Sequence, residues 1–286
     1  MTTPLQGVDP RFESGWAHHI YKMNFAIIVS KQDPAGMNIK NSLLELFEFE
    51  NHKSYWKYEN IKLYEVEQES IYCEDIDKII TADYLIFATK HKSEAGTNSL
   101  SVHVPGNWSK AELGGKDKTL CLAPASLVKE MFLELNEQGQ NLGYEITLEA
   151  VHHGPCIEKP VMFIEIGSNE EHWKDSKAGK VIAKTIMNVL TKEIKVYKTV
   201  IGLGASHYPQ PFNKLLLRTE YAIGQICPKY QMENLDEEML LQAVKKNVEK
   251  IEFVLLDWKG LSGYKEKIIE LLGKLDLKYQ KIKEII

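Results

Sequence analysis

Residues 146–151 and 161–166 are short apolar runs rich in β-branched side chains, and the polar interruption His152-His153-Gly154-Pro155 stands between them. Runs of this length bounded by Gly or Pro predict two buried strands. The histidine pair at the end of one and Glu165 inside the other then occupy places where an unpaired polar group is costly. Each needs a hydrogen-bond partner, a metal or a role in a site. The same pattern predicts strands over 25–29, 63–66, 84–88, 120–123, 196–203 and 253–257, and an edge strand over 277–282. Apolar positions at helical spacing predict helices over 37–47, 126–137, 236–247 and 264–272, and one long helix over 169–190 with Ser168 as its N-cap. Residues 97–117 follow neither period and are dense in Gly, Asn and Ser, which predicts an ordered loop.

Residues 1–22 hold Pro4, Gly7, Pro10 and Gly15 without a periodic apolar pattern, so a flexible N-terminal extension is expected there, with the fold starting at Met23. From there, strands alternating with helices predict a single three-layer α/β/α domain over 23–286 with a mostly parallel mixed sheet. In such folds sites lie at the carboxyl ends of strands, and His91, His153 and His207 all follow predicted strand ends.

Composition narrows the function classes. No stretch approaches the roughly 20 apolar residues that span a bilayer, and no charged start precedes an apolar run as in a signal peptide. Cys73, Cys121, Cys156 and Cys227 are widely spaced, which suggests neither a zinc finger nor a disulfide framework and points to the reducing cytosol. The net charge of -5 means that a nucleic-acid partner would need a local basic patch.

Familiar motifs fail when tested. Gly202-x-Gly204 lacks the third glycine of a dinucleotide fingerprint, since His207 stands there, and no Gly-Lys pair precedes Ser or Thr as in a P-loop. Gly204-Ala205-Ser206-His207-Tyr208 is not a nucleophile elbow, and no H-E-x-x-H helix occurs. What remains is a constellation: His103, Asn107, Lys116, Asp117, His152, His153, Glu165 and His207. Any one histidine is by default a satisfied structural residue. Together with a carboxylate they form the ligand set that zinc prefers, and His152 or His153, Glu165 and His207 are the candidate ligands. Without metal the same groups suit a general base and oxyanion donors, with His103, Asn107, Lys116, His152 and His153 as candidate catalytic residues. On an extended segment His152 and His153 are expected to face opposite sides.

At HVPGNW (103–108), GGKD (114–117), EAVHHGP (149–155), FIEIGS (163–168), GASHYP (204–209) and PKY (228–230), the chain resembles the archaeal and plant type of D-aminoacyl-tRNA deacylase. The resemblance covers about residues 23–275 in colinear order. It implies hydrolysis of the ester between a D-amino acid and the tRNA 3′ end, zinc dependence, a monomer, and a fold like those of phosphorylases and peptidyl-tRNA hydrolases. Lys116, Arg218 and Lys229 would then contact the tRNA acceptor end, and the 97–117 loop, Trp108 and Tyr208 would shape a chiral pocket. The resemblance departs at Gly224-Gln225-Ile226, where the family pattern carries a central histidine. Two rivals use the same histidines: a zinc amidohydrolase or aminopeptidase, and an RNA-binding module without catalysis.

Overall fold

A computed structural model describes residues 23–93 and 96–286; the expected N-terminal extension over 1–22 lies outside the described residues. In chain order the first half comprises β1 (Phe25–Ser30), α1 (Pro34–Leu46), β2 (Glu50–His52), β3 (Tyr55–Tyr58), β4 (Ile61–Val66), α2 (Ile76–Ile79), β5 (Tyr84–Lys92), β6 (Ser99–His103), β7 (Gly106–Asn107), β8 (Thr119–Leu120) and α3 (Ala125–Gly139). The second half comprises β9 (Glu145–Leu148), β10 (Val161–Ser168), α4 (Glu170–Trp173), α5 (Ser176–Leu190), β11 (Lys198–Ala205), α6 (Gln210–Arg218), β12 (Tyr221–Pro228), α7 (Glu237–Lys245), β13 (Ile251–Leu256), α8 (Lys265–Lys274) and β14 (Tyr279–Lys281).

The long strands form two sheets where the sequence predicts one. An eight-stranded sheet runs β2-β3-β4-β1-β5-β10-β6-β9, parallel except at β2–β3, β3–β4 and β10–β6. A four-stranded parallel sheet runs β12-β11-β13-β14. The split has a local cause: β6 and β9 occupy the edge beside β10 that β11 would need to extend the first sheet. Helix α3 packs on β6 and β9 of one sheet and on β12 of the other, so one apolar core runs through both. Helices α1, α3 and α5 cover one face of the large sheet. The other face is closed by a thinner layer in which Ile76, Ile80, Cys121 and Ile157 pack on Phe87 and Phe163.

Local chemistry sets the helix boundaries. Asp33 caps α1 by accepting from the backbone N–H of Ala35 and Gly36, and Pro34 fills the first turn, where its missing N–H costs nothing. The predicted helix over 169–190 is two helices. Ser168 ends β10, Asn169 caps α4 and Asp175 caps α5, so two Asx caps restart the helix within one turn. Ile182, Ile186 and Val189 point inward from α5 as their spacing requires.

One buried charge supports the core. The ammonium of Lys129 donates to the carbonyls of Thr219 and Tyr221 at 2.6 and 2.8 Å, and burial pushes its pKa down to about 8. An unfolded lysine holds its proton to about 10.4. Between these values the unfolded chain binds more protons, so stability rises with pH. The thermal midpoint of the wild type should therefore climb relative to Lys129→Met between pH 8 and 10; calorimetric curves that stay parallel over that range would refute it.

Candidate active site

Strand β10 lays the floor of the site. Its side chains alternate, so Phe163, Glu165 and Gly167 share one face, in register with Phe87, Thr89 and His91 of β5 and with His103, Ser101 and Ser99 of β6. The deep end of this face is apolar: ring centroids lie 4.8 Å apart for Phe87 and Phe163 and 5.3 Å for His103 and Phe163. Above it the face turns polar at Glu165 and His91. Residues 99–103, expected within a loop, are this buried antiparallel strand, and their small serines leave room over Glu165.

The stretch after β9 forms a seam between the two sheets. The N–H of Glu149 donates to Val102 of the large sheet, that of Ala150 to His207 beyond β11, and that of Val151 to Ile226 of β12. Because consecutive residues take partners on different elements, the predicted strand over 146–151 ends at Leu148. The seam carries Glu149, His152 and His153 over the floor at Glu165. Both histidine rings enter the same cluster, with centroids 4.4 Å apart, instead of facing opposite sides. The backbone turns between them, each Nδ1 being held by a carbonyl, that of Ala150 at 2.7 Å and that of Gly154 at 2.6 Å.

Glu149 Oε2 lies 3.2 Å from His91 Nδ1, 3.3 Å from His207 Nε2 and 3.7 Å from His152 Nε2. Glu165 lies 3.3 Å from His91 Nδ1 and 3.6 Å from His103 Nε2. A carbonyl beside Nδ1 of His152 and His153 holds the proton there, so each keeps the Nε2 lone pair for the cluster; burial opposes charge on His103, but Glu165 outweighs it and raises its pKa. Burial and the neighbouring imidazoles hold His152 well below its usual range and His153 at about 4, so both are neutral at pH 7. Burial opposes charge on His91 as well, but the two carboxylates outweigh it and raise its pKa to about 11. Burial likewise opposes ionisation of Glu149, and His207 and His91 overcome it, holding the carboxylate well below its ordinary value.

These donors fit a metal. His91, Glu149, His152 and His207 present ligand atoms within 4.8 Å of one another, as do His103, His152 and His153, and His103, Glu149 and Glu165. Ligands about 2.0–2.1 Å from a tetrahedral zinc stand roughly 3.3 Å apart, close to the 3.2 and 3.3 Å found around Glu149 Oε2. Both oxygens of Glu149, Oε2 of Glu165 and Nε2 of His103 are buried without a hydrogen bond. A native protein does not leave four such atoms unsatisfied in one place. Neutral imidazole with carboxylate is also the donor set zinc takes. The trio expected from the sequence is divided: His152 and His207 group with Glu149 and His91, and Glu165 with His103.

The other candidates scatter. Asn107 donates to the carbonyl of Gly114 and lines a cavity beside His152. Lys116 is exposed next to Gly115, and Asp117 pairs with Lys110 at 2.6 Å. Tyr208 lies 3.0 Å from His91 Nε2 through its hydroxyl, and Trp108 donates to the carbonyl of Ile226. Lys229 follows the carboxyl end of β12 near the site, but Arg218 precedes its amino end. An eight-residue strand separates them by about 23 Å, so Arg218 does not join that patch. Gln225, where the family pattern has histidine, is buried and donates to the carbonyls of Cys121 and Lys246. Glu149 and His91 are the cluster members left out of the candidate set. The signal for Glu149 was the one used for Glu165, a carboxylate within an apolar run.

A family model described as D-aminoacyl-tRNA deacylase matches residues 79–280. A D-aminoacyl-tRNA deacylase of Pyrococcus furiosus is 37% identical over 270 residues, covering 89% of this chain and 98% of that protein. The chain belongs to the D-aminoacyl-tRNA deacylase family. Another member, from Methanosarcina mazei, is 35% identical over 287 residues, covering 93% of this chain and 95% of its own length. Among solved structures, one described as a conserved protein of unknown function superposes with a TM-score of 0.84 at 31% identity, covering 92% of this chain and 96% of that one. The likeness in fold thus spans both sheets of this deacylase-family chain, including the seam that carries the cluster.

Proposed function

We propose that this chain hydrolyses the ester joining a D-amino acid to the 3′ end of tRNA, releasing free tRNA and the D-amino acid, with zinc at the histidine-glutamate cluster. The observation that carries the reading is the spacing of His91 Nδ1 and His207 Nε2 around Glu149 Oε2, close to that of zinc ligands, with both Glu149 oxygens buried without a hydrogen bond. His91, Glu149, His152 and His207 would hold the ion, which would take the place of the proton that the two carboxylates keep on His91. Bound there, zinc supplies a Lewis acid for the ester carbonyl and a lowered pKa for water.

The chain's own groups do the rest. His153, outside that four-residue set, lines a cavity of about 610 Å³ that opens on the cluster, and Nδ1–H to the Gly154 carbonyl leaves its Nε2 free to accept. It takes the proton of the attacking water and returns it to the ribose oxygen as the ester C–O bond breaks. Glu165 holds His103 and His91 beneath the reacting centre. An aminoacyl ester is activated already, so no Ser or Cys nucleophile is required. Exposed Lys92, Lys116 and Lys229 supply positive charge for the acceptor end on a chain of net charge -5. We place the enzyme in the cytosol as a monomer, a setting in which its four cysteines, all free thiols, stay reduced.

Parallel incubation with D-tyrosyl-tRNA, L-tyrosyl-tRNA and a free peptide tests this reading. Selective release of D-tyrosine is expected. Equal hydrolysis of both esters would remove chiral selection, and peptide cleavage would favour an amidohydrolase.

A further inference from the structure

Two cavities open on the cluster, and they differ in size and lining. The larger, about 610 Å³, runs past Glu69, Tyr72, Thr89, Lys90 and Lys92. The smaller, about 280 Å³, is walled by Asn107, Trp108, Glu112, Val151 and Tyr230. His152 and Leu113 line both, so the partition between them is a cluster histidine.

We infer that the partition divides the substrate at its scissile bond, with the terminal nucleoside in the larger cavity and the amino-acid side chain in the smaller, where Tyr230 sets which side chains fit. The inference rests on the deacylase reading. An aminoacyl ester has two unlike arms on either side of one carbonyl. The alcohol arm is large, aromatic and anionic through its phosphate. The acyl arm is small and cationic through its α-ammonium. A carbonyl held at His152 sends one arm each way.

The linings match these arms. In the larger cavity the Asp33 carboxylate is occupied by the N–H groups of Ala35, Gly36 and Lys90 and by the Thr89 hydroxyl, and Lys90 pairs with Glu69. That leaves Lys92 exposed and without an ion pair among the described residues, in a cavity also lined by Tyr72, a residue 49% exposed whose ring is suited to stack a base. In the smaller cavity Lys110 is neutralised by Asp117, and exposed Glu112 has no ion-pair partner among the described residues, which gives it the sign an ammonium needs. Trp108, Val151 and the ring of Tyr230, a residue 52% exposed, supply apolar wall.

The test compares D-alanyl-, D-tyrosyl- and D-tryptophanyl-tRNA with the full chain and three variants. Tyr230→Ala widens the smaller cavity and should raise the kcat/KM ratio of the tryptophanyl to the alanyl ester about tenfold, a 1.4 kcal/mol change in discrimination. Tyr72→Ala and Lys92→Ala should raise KM about tenfold for all three esters and leave that ratio unchanged. Both tyrosines are about half exposed, so their removal opens no core cavity. A ratio that ignores Tyr230 but follows Tyr72 or Lys92 would overturn the assignment while leaving the deacylase reading intact. A wild type inert on every ester would overturn the deacylase reading itself, and the assignment with it.

Discussion

Replacing Glu149 with glutamine should lower kcat/KM on a D-aminoacyl-tRNA at least a thousandfold, about 4 kcal/mol of transition-state stabilisation. The carboxylate is fully buried, and one of its oxygens faces His91, His152 and His207 at 3.2–3.7 Å. Glutamine keeps the size but brings a neutral oxygen and an N–H₂ group that meets the histidines. Metal affinity should fall with activity, because the anionic ligand is gone. Loss of bound zinc in the purified variant, with its circular dichroism unchanged, would separate this cause from misfolding; near-normal turnover would remove Glu149 from the centre.

Gly154→Ala should lower stability sharply. A Cβ at that position would stand 2.2 Å from the backbone nitrogen of Gly115 and 2.4 Å from the carbonyl carbon of Gly114. Both contacts are backbone, so no flexible side chain can move aside. The Gly114–Gly115 turn has no slack either: a Cβ on Gly114, at φ +71°, would meet the carbonyl oxygen of Ile71 at 1.9 Å. Glu74 ties the same place together, accepting from Gly115 N at 2.8 Å and Cys156 N at 2.9 Å. Overpacking of this kind costs about 3 kcal/mol, which lowers the melting temperature by roughly 6–12 °C in a chain of this size. Because His153 precedes the residue forced to move, the deacylation rate should fall with it. A melting temperature within two degrees of wild type would contradict the packing described.

The parts of the fold that were legible in the sequence are those with a clean period. Strands β1, β5, β10, β11 and β13 each contain a run of apolar residues, and α3, α7 and α8 carry apolar stripes at helical spacing. Strand β6 was hidden because Ser99, Ser101 and His103 face the site, and those polar side chains break the signature of a buried strand. The β2–β3 hairpin was hidden because no residue in it is fully buried. With β6 unread, nothing in the pattern showed that the edge beside β10 was taken, and hence that the strands form two sheets.

The site was legible in its histidines and less so in its carboxylates. His103, His152, His153, Glu165 and His207, expected from a loop, strand ends and a strand interior, lie in overlapping groups of one cluster. Strand order could not show that Glu149, one residue beyond β9, would reach across the seam to the histidine after β11. That contact depends on the hydrogen bond from Ala150 to His207, which joins residues distant in sequence. Arg218 belongs by charge with Lys116 and Lys229, yet β12 runs between it and Lys229.

The most direct test of the account is the rate of D-tyrosine release from D-tyrosyl-tRNA by chelator-treated protein across a zinc titration. The account predicts a rate near zero without metal that recovers in proportion to zinc and saturates at a fixed stoichiometry. Undiminished release from protein carrying less than about a tenth of an equivalent of any transition metal would contradict it.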